Sequence, residues 1–250
     1  MITSVNGKAT RFILVAFFCC ETNGEIYCYF CSSMIDVIEN ITSEEKELLG
    51  QGIKLPIMEE FYSIQGEGFN TGKPAYFIRV GGCDVGCHWC DVKESWNPNL
   101  HPLVEVEQII NNVKNYPAQS IVITGGEPLI YNLDYLTKQL ANNGVEVFLE
   151  TSGAHSLSGI WHWICLSPKK NLPPLQDVYE RADELKVIVF NKDDIKWAEI
   201  HAAKVGKGCK LYLQPEWSNK DKMMPIIIDY VMENPKWNIS LQTHKYLQIP

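Results

Sequence analysis

The sequence predicts an α/β fold, an incomplete TIM-like barrel with largely parallel strands. Three observations carry this expectation. Seven strand-length apolar runs recur along the chain, the stretches between them keep helical spacing, and polar, Gly- and Pro-rich punctuation follows the carboxyl ends of the runs. Strands that alternate with helices need crossover connections, and these make neighbouring strands parallel.

Residues 1–33 keep neither helical nor strand periodicity. The apolar run Phe12–Cys20 behind Lys8 and Arg11 has a faint secretory look, but it is short and no A-x-A-like site follows. This stretch is expected to be an unstructured or spurious extension. Cys28-x2-Cys31 has no second pair nearby to complete a zinc site. Residues 34–54 read as a helical lead-in, where Ser43-Glu-Glu-Lys-Glu-Leu-Leu resembles an N-capped helix ended by Gly50 and Gly52.

Residues 55–250 are expected to form one domain without internal repeats. Its strands are predicted at Ala75–Val80, Ser120–Thr124, Val145–Leu149, Trp161–Leu166, Leu185–Phe190, Lys210–Leu213 and Ile239–Leu241. Val106, Ile109, Ile110 and Val113 mark one crossover helix, and Leu133, Leu136 and Leu140 another. In such sheets chemistry collects at the carboxyl ends of strands. The unusual segments sit there: Gly81-Gly82-Cys83, Thr124-Gly-Gly-Glu-Pro128, Glu150-Thr-Ser-Gly153, Ser167-Pro-Lys-Lys170 and Gln214-Pro215.

Composition narrows the function. With 46% apolar and 21% charged residues over 250 positions, the chain can bury a sizeable core. Its formal charge of -8 argues against a broad basic face for nucleic acid. No apolar stretch reaches the roughly 18 residues of a membrane span.

Nine cysteines, an odd number dispersed along the chain, do not make a disulfide framework. Cys83-x3-Cys87-x2-Cys90 instead reads as metal or cluster ligation, which needs a reducing and hence cytoplasmic setting. Three thiolates leave one iron of a [4Fe-4S] cluster open, whereas a zinc loop would need His88 or a distant fourth ligand. The Thr124–Pro128 segment ends a buried-looking strand and leaves backbone groups and the Glu127 carboxylate to meet an ammonium group. Taken alone it would be an ordinary strand-to-helix turn. Cys165 and Cys209 read as packing residues, as do Trp161, Trp163, Trp197 and Trp237.

The cysteine loop followed by Gly-Gly-Glu-Pro resembles the radical S-adenosylmethionine superfamily. Further segments resemble its 7-carboxy-7-deazaguanine synthase family: Phe61-Tyr-Ser-Ile-Gln-Gly-Glu-Gly68, Gly72, Phe77-Ile-Arg79, Trp89-Cys90-Asp91, Glu150–Gly153, Ser167-Pro-Lys169 and Gln242-Thr-His-Lys-Tyr246. The resemblance covers about residues 55–250. It implies a radical SAM type of barrel and a lyase that turns 6-carboxy-5,6,7,8-tetrahydropterin into 7-carboxy-7-deazaguanine with loss of ammonia, toward the queuosine base of tRNA.

It also implies residue roles. Cys83, Cys87 and Cys90 would hold the cluster, whose open iron would chelate S-adenosylmethionine so that one electron yields a 5′-deoxyadenosyl radical. Trp89, Cys90, Asp91, Gly126, Ser152, Ser167, Pro168, Lys169 and Gln214 would line the cofactor site. Ile64, Gln65, Gly66, Glu67, Arg79, Thr124 and Pro250 would frame the pterin, with Arg79 as a bidentate fork for its carboxylate. An external donor of flavodoxin or ferredoxin type and a homodimer are implied too. His244 either helps close the pocket or is structural.

One position departs from the family pattern. A hydroxyl residue usually follows the Asp of the W-C-D segment and helps hold Mg2+, but here the residue is Val92, so the Mg2+ site is open to question. Two rival functions remain: an activase that makes a glycyl radical on a partner protein, and a non-catalytic zinc or iron-sulfur interaction module. The Gln-Gly-Glu-Gly and Gln-Thr-His-Lys-Tyr segments argue against the activase.

Overall fold

The computed structural model describes residues 38–250, so the expectations for residues 1–33, including Cys28 and Cys31, lie outside the described residues. Nine strands form one open sheet: β1 (Lys54–Ile64), β2 (Pro74–Val80), β3 (Leu103–Glu105), β4 (Ser120–Gly125), β5 (Glu146–Thr151), β6 (Trp163–Leu166), β7 (Glu184–Val189), β8 (Lys210–Pro215) and β9 (Trp237–Ile239). Their order is β3-β1-β2-β4-β5-β6-β7-β8-β9. From β2 to β9 all neighbours are parallel, while β1 runs antiparallel to both β2 and β3.

All seven expected strands are present, with shifted ends. β6 starts at Trp163 because Trp161 Nε1 donates to the Ser158 carbonyl in a preceding turn. The last strand ends at Ile239, two residues before the expected end. Two strands were not expected, β1 and β3. β1 carries Pro56, then Glu59 and Glu60, with a register shift between Ile57 and Glu59. Beyond Pro56 it pairs with β2 alone, so polar side chains there break the apolar signature without harming the sheet.

The helices are α1 (Ser43–Gly50), α2 (Val106–Val113), α3 (Asp134–Asn142), α4 (Gln176–Arg181), α5 (Asp193–Ala202), α6 (Lys220–Glu233) and α7 (Thr243–Leu247). Thr42 caps α1 and Glu45 returns the bond to the Thr42 backbone, a capping box one residue earlier than Ser43. All four periodic residues of α2 are buried.

Strand periodicity divides the sheet into two faces. Tyr76, Ile78, Ile121, Ile123, Val147, Leu149, Leu185, Val187 and Leu213 join the helices in the main core. The alternate residues face the concave side, where Ala75, Phe77, Val122 and Phe148 form a small second core with Phe61 and Trp163. Continuing that alternation toward the carboxyl ends brings Arg79, Thr124, Glu150, Lys186 and Gln214 onto the concave side. A cavity of about 730 Å³ lies there and is lined by all five.

Candidate active site

The cysteine loop leaves β2 through Gly81 and Gly82. Gly82 has φ +101°, and a Cβ on it would stand 2.3 Å from Tyr131 Oη, so only glycine fits. Its N–H donates to the Ser95 carbonyl at 2.6 Å, and that of Cys83 to Trp96 at 3.2 Å. Asn171 Nδ2 donates to the carbonyls of Val85 and Gly86, and His155 Nε2 sits 3.0 Å from Asp84 Oδ1. The loop is thus pinned on two sides, with Cys83, Cys87 and Cys90 free, half-buried and lining the cavity.

The Cys83 and Cys87 thiols are shifted toward the protonated form. Burial, aided by the charges of Glu127 and Asp84, pushes Cys83 up to about 11 against the backbone N–H groups of Val85 and Gly86. Burial also raises Cys87, with the Lys169 charge opposing it. Among the described residues, no three His, Cys, Asp or Glu side chains are grouped to hold a single metal ion. Three thiols spread around one cavity, with backbone N–H groups aimed at a sulfur, fit an iron-sulfur cluster better than a zinc ion.

Glu127 corrects one expectation. Its carboxylate does not face the cavity with open valences: Oε1 accepts from Thr151 Oγ1 at 2.5 Å and Leu129 N at 3.1 Å, while Oε2 accepts from Ser152 N at 2.7 Å and Ser152 Oγ at 2.5 Å. With the residue 1% exposed, its role is to tie β4 to the end of β5 and to cap the turn Pro128–Ile130. Gly126 has no room for a Cβ, which would lie 2.1 Å from the Gly82 carbonyl oxygen. The two motifs are thereby packed backbone to backbone.

Trp89, Cys90, Asp91, Gly126, Ser152, Ser167, Lys169 and Gln214 all line the cavity. Pro168 does not; it lines a smaller adjoining cavity of about 120 Å³ together with Cys87 and Trp89. Its neighbours Ser167 and Lys169 line the main cavity and are bonded to each other, Lys169 Nζ donating to the Ser167 carbonyl at 2.5 Å and Oγ at 2.8 Å. Burial lowers the Lys169 pKa. Gln214 Oε1 accepts from Ser240 Oγ at 2.6 Å.

The same cavity is also lined by a second group, Ile64, Gln65, Gly66, Glu67, Arg79, Thr124 and Pro250. Glu67 is its centre. Lys186 Nζ donates to its Oε2 at 2.7 Å and Gln242 Nε2 to its Oε1 at 3.0 Å. Burial alone would raise the Glu67 pKa, but the Lys186 charge, these two bonds and His244 hold it at about 2. Gln65 Nε2 lies 3.4 Å from Glu150 Oε1. Arg79 Nε donates to Glu59 Oε1 at 2.6 Å across the β1–β2 pair, which leaves the two terminal guanidinium nitrogens as a fork. Ser63 Oγ donates to the Pro250 carbonyl at 3.3 Å. His244 lines the cavity against Gly66, where a Cβ would meet its Nδ1 at 2.3 Å.

Lys186 was not anticipated. It is 4% exposed, in the middle of β7, and bridges Glu67 to Glu150 Oε2 at 2.9 Å. Burial would lower its pKa, but Cys165, Glu150, Glu67 and Glu184 raise it well above the ordinary lysine value. The signal was a lone lysine inside the apolar run Leu185–Phe190. Such a residue must either snorkel or find buried carboxylates.

Comparison with known proteins gives the family. Residues 77–163 match the model of the Radical SAM superfamily. A 7-carboxy-7-deazaguanine synthase from Flavobacterium psychrophilum is 57% identical over 210 residues, 84% of this chain and 100% of that protein. The chain belongs to the 7-carboxy-7-deazaguanine synthase family. The member of this family from Synechocystis is 46% identical over 79% of this chain and 94% of its own length. The crystal structure of QueE from Escherichia coli superimposes with a TM-score of 0.71 at 33% identity, covering 81% of this chain and 100% of that one. As a radical SAM enzyme, the synthase family uses a [4Fe-4S] cluster, S-adenosylmethionine, a reductant and a small-molecule substrate. Among the described residues, no helix is long and apolar enough to cross a membrane.

Proposed function

We propose that this chain converts 6-carboxy-5,6,7,8-tetrahydropterin into 7-carboxy-7-deazaguanine with release of ammonia, in the cavity at the carboxyl ends of the strands. The observation that carries the reading is that one cavity is lined both by the three cysteines and by the Glu67–Lys186–Glu150 network.

Cys83, Cys87 and Cys90 would hold the cluster, and the pinned glycine-rich loop would fix its orientation. The cluster supplies one-electron cleavage of the C–S bond of S-adenosylmethionine. Trp89, Asp91, Gly126, Ser152, Ser167, Lys169 and Gln214 would bind and orient that cofactor, with Pro168 supporting the loop from behind. Glu67, kept ionised by Lys186, is an acceptor for the paired N–H groups on a pterin's amide and amino edge. Gln65, Ile64, Gly66 and Thr124 would frame the ring, and the Arg79 fork would take its carboxylate. Pro250, bonded to Ser63, and His244 would exclude water by closing the cavity from the C-terminal side.

In this reading residues 55–250 carry the catalytic unit, residues 34–54 lead into it, and residues 1–33 are not needed for it. An external flavodoxin or ferredoxin delivers the electron. The working form is a homodimer, to which Ile228 and Met232, exposed on one face of α6, offer apolar surface. Cysteines that must stay free favour a reducing, cytoplasmic setting. Mg2+ has the least support, because Val92 brings no side-chain oxygen.

Electron paramagnetic resonance of the anaerobically reconstituted, reduced protein tests the reading. A cluster signal that shifts on adding S-adenosylmethionine and again on adding the pterin is expected. A colourless zinc protein, or a signal indifferent to both molecules, would contradict it.

A further inference from the structure

The donors expected for a divalent ion beside the cluster loop do not fit one. The Val92 carbonyl already accepts from Ser95 N at 3.1 Å and Ser95 Oγ at 2.7 Å. Asp91 Oδ2 is 2.9 Å from Lys245 Nζ, so its charge is already balanced. Mg2+ demands six oxygens at about 2.0–2.1 Å in near-octahedral order and gives up water reluctantly. A single paired carboxylate offers little toward that.

We propose that Lys245 stands in place of that ion: its ammonium, held on Asp91, is the positive charge that positions an anionic oxygen of the substrate beside the cluster loop. The inference rests on reading the cavity as the pterin site. Lys245 comes from α7 and Asp91 follows Cys90, 154 residues earlier, and both line the cavity. The Lys245 ammonium also lies 4.9 Å from the centre of the Trp217 ring, which shields its stem from water. It is therefore fixed from two directions. An ammonium has three N–H donors, and Asp91 takes one, so donors remain for an anion. An ammonium is hydrated too, but it carries one charge, asks for no octahedral set of oxygens and yields its water more readily than Mg2+.

The test has two arms. In the first, the holoenzyme with S-adenosylmethionine is titrated with Mn2+ and free Mn2+ is read by electron paramagnetic resonance. No saturable site is expected, whereas one equivalent bound by the natural protein and lost in Asp91→Asn overturns the proposal. This arm needs no turnover, so it stands or falls separately from the functional reading. In the second, Lys245→Met and Lys245→Arg are compared at equal cluster content. Lys245→Met should raise KM for the pterin about tenfold with kcat changed less than about threefold, and Lys245→Arg should recover most of the loss. A pterin KM unchanged in Lys245→Met overturns the role assigned to the side chain.

Discussion

Lys186 Nζ lies 2.7 Å from Glu67 Oε2, joining the middle of β7 to the loop after β1 across 119 residues of chain. The same ammonium holds Glu150, so one cation serves two carboxylates in a mostly buried place. Lys186→Met should strand both carboxylates and cost about 2–4 kcal/mol of stability, discounted from a fully buried pair because each glutamate keeps some exposure. Urea denaturation of the folded protein measures this. An unchanged midpoint would mean that the network contributes nothing to the fold.

The Glu67 pKa gives a pH dependence with a definite sign. Its value falls from the ordinary 4.5 to about 2 in the folded protein, so between these values the unfolded chain binds more protons. The contribution is present in full above pH 4.5 and is lost as pH falls toward 2. Glu67→Gln should therefore flatten the acid-induced loss of stability in that window. Parallel pH curves for the two proteins would sink the assignment.

Replacing Cys83, Cys87 or Cys90 by Ala should abolish retention of the cluster, because two thiolates cannot fix it. Cys165→Ala should leave iron content unchanged, since Cys165 is buried within β6 and does not line the cavity. Iron and sulfide analysis of each variant decides. A full cluster in Cys87→Ala would remove that residue from the ligand set.

Arg79→Lys should raise KM for the pterin by about tenfold, as a point charge replaces a planar fork. Glu59 would still hold the new ammonium, so stability should change by less than about 1 kcal/mol. Steady-state kinetics on the pterin, with thermal melts as the control, checks both statements.

Much of this was legible in the sequence for a physical reason. Parallel strands covered on both faces read as continuous apolar runs, so β2 and β4 to β9 stood out. β1 did not, because it pairs on one side for most of its length and tolerates Glu59 and Glu60. The cysteine loop and the segments after β4, β5, β6 and β8 were visible as punctuation after strands, whereas Ile64, Gln65, Gly66, Glu67, Arg79 and Pro250 came from the family resemblance alone. Lys186 was hidden, since a strand-central lysine becomes intelligible only when Glu67 and Glu150 arrive from distant segments. Glu127 was misread for the same reason: its partners Thr151 and Ser152 lie on the neighbouring strand.

The central claim is that one cavity brings the cluster, the cofactor and the pterin together for a ring contraction. The direct measurement is anaerobic incubation of the reconstituted protein with reductant, S-adenosylmethionine and 6-carboxy-5,6,7,8-tetrahydropterin, followed by mass spectrometry. The account predicts a product lighter than the pterin by one ammonia, formed by the natural protein and absent in Cys83→Ala. Cofactor cleavage with the pterin recovered intact would contradict it.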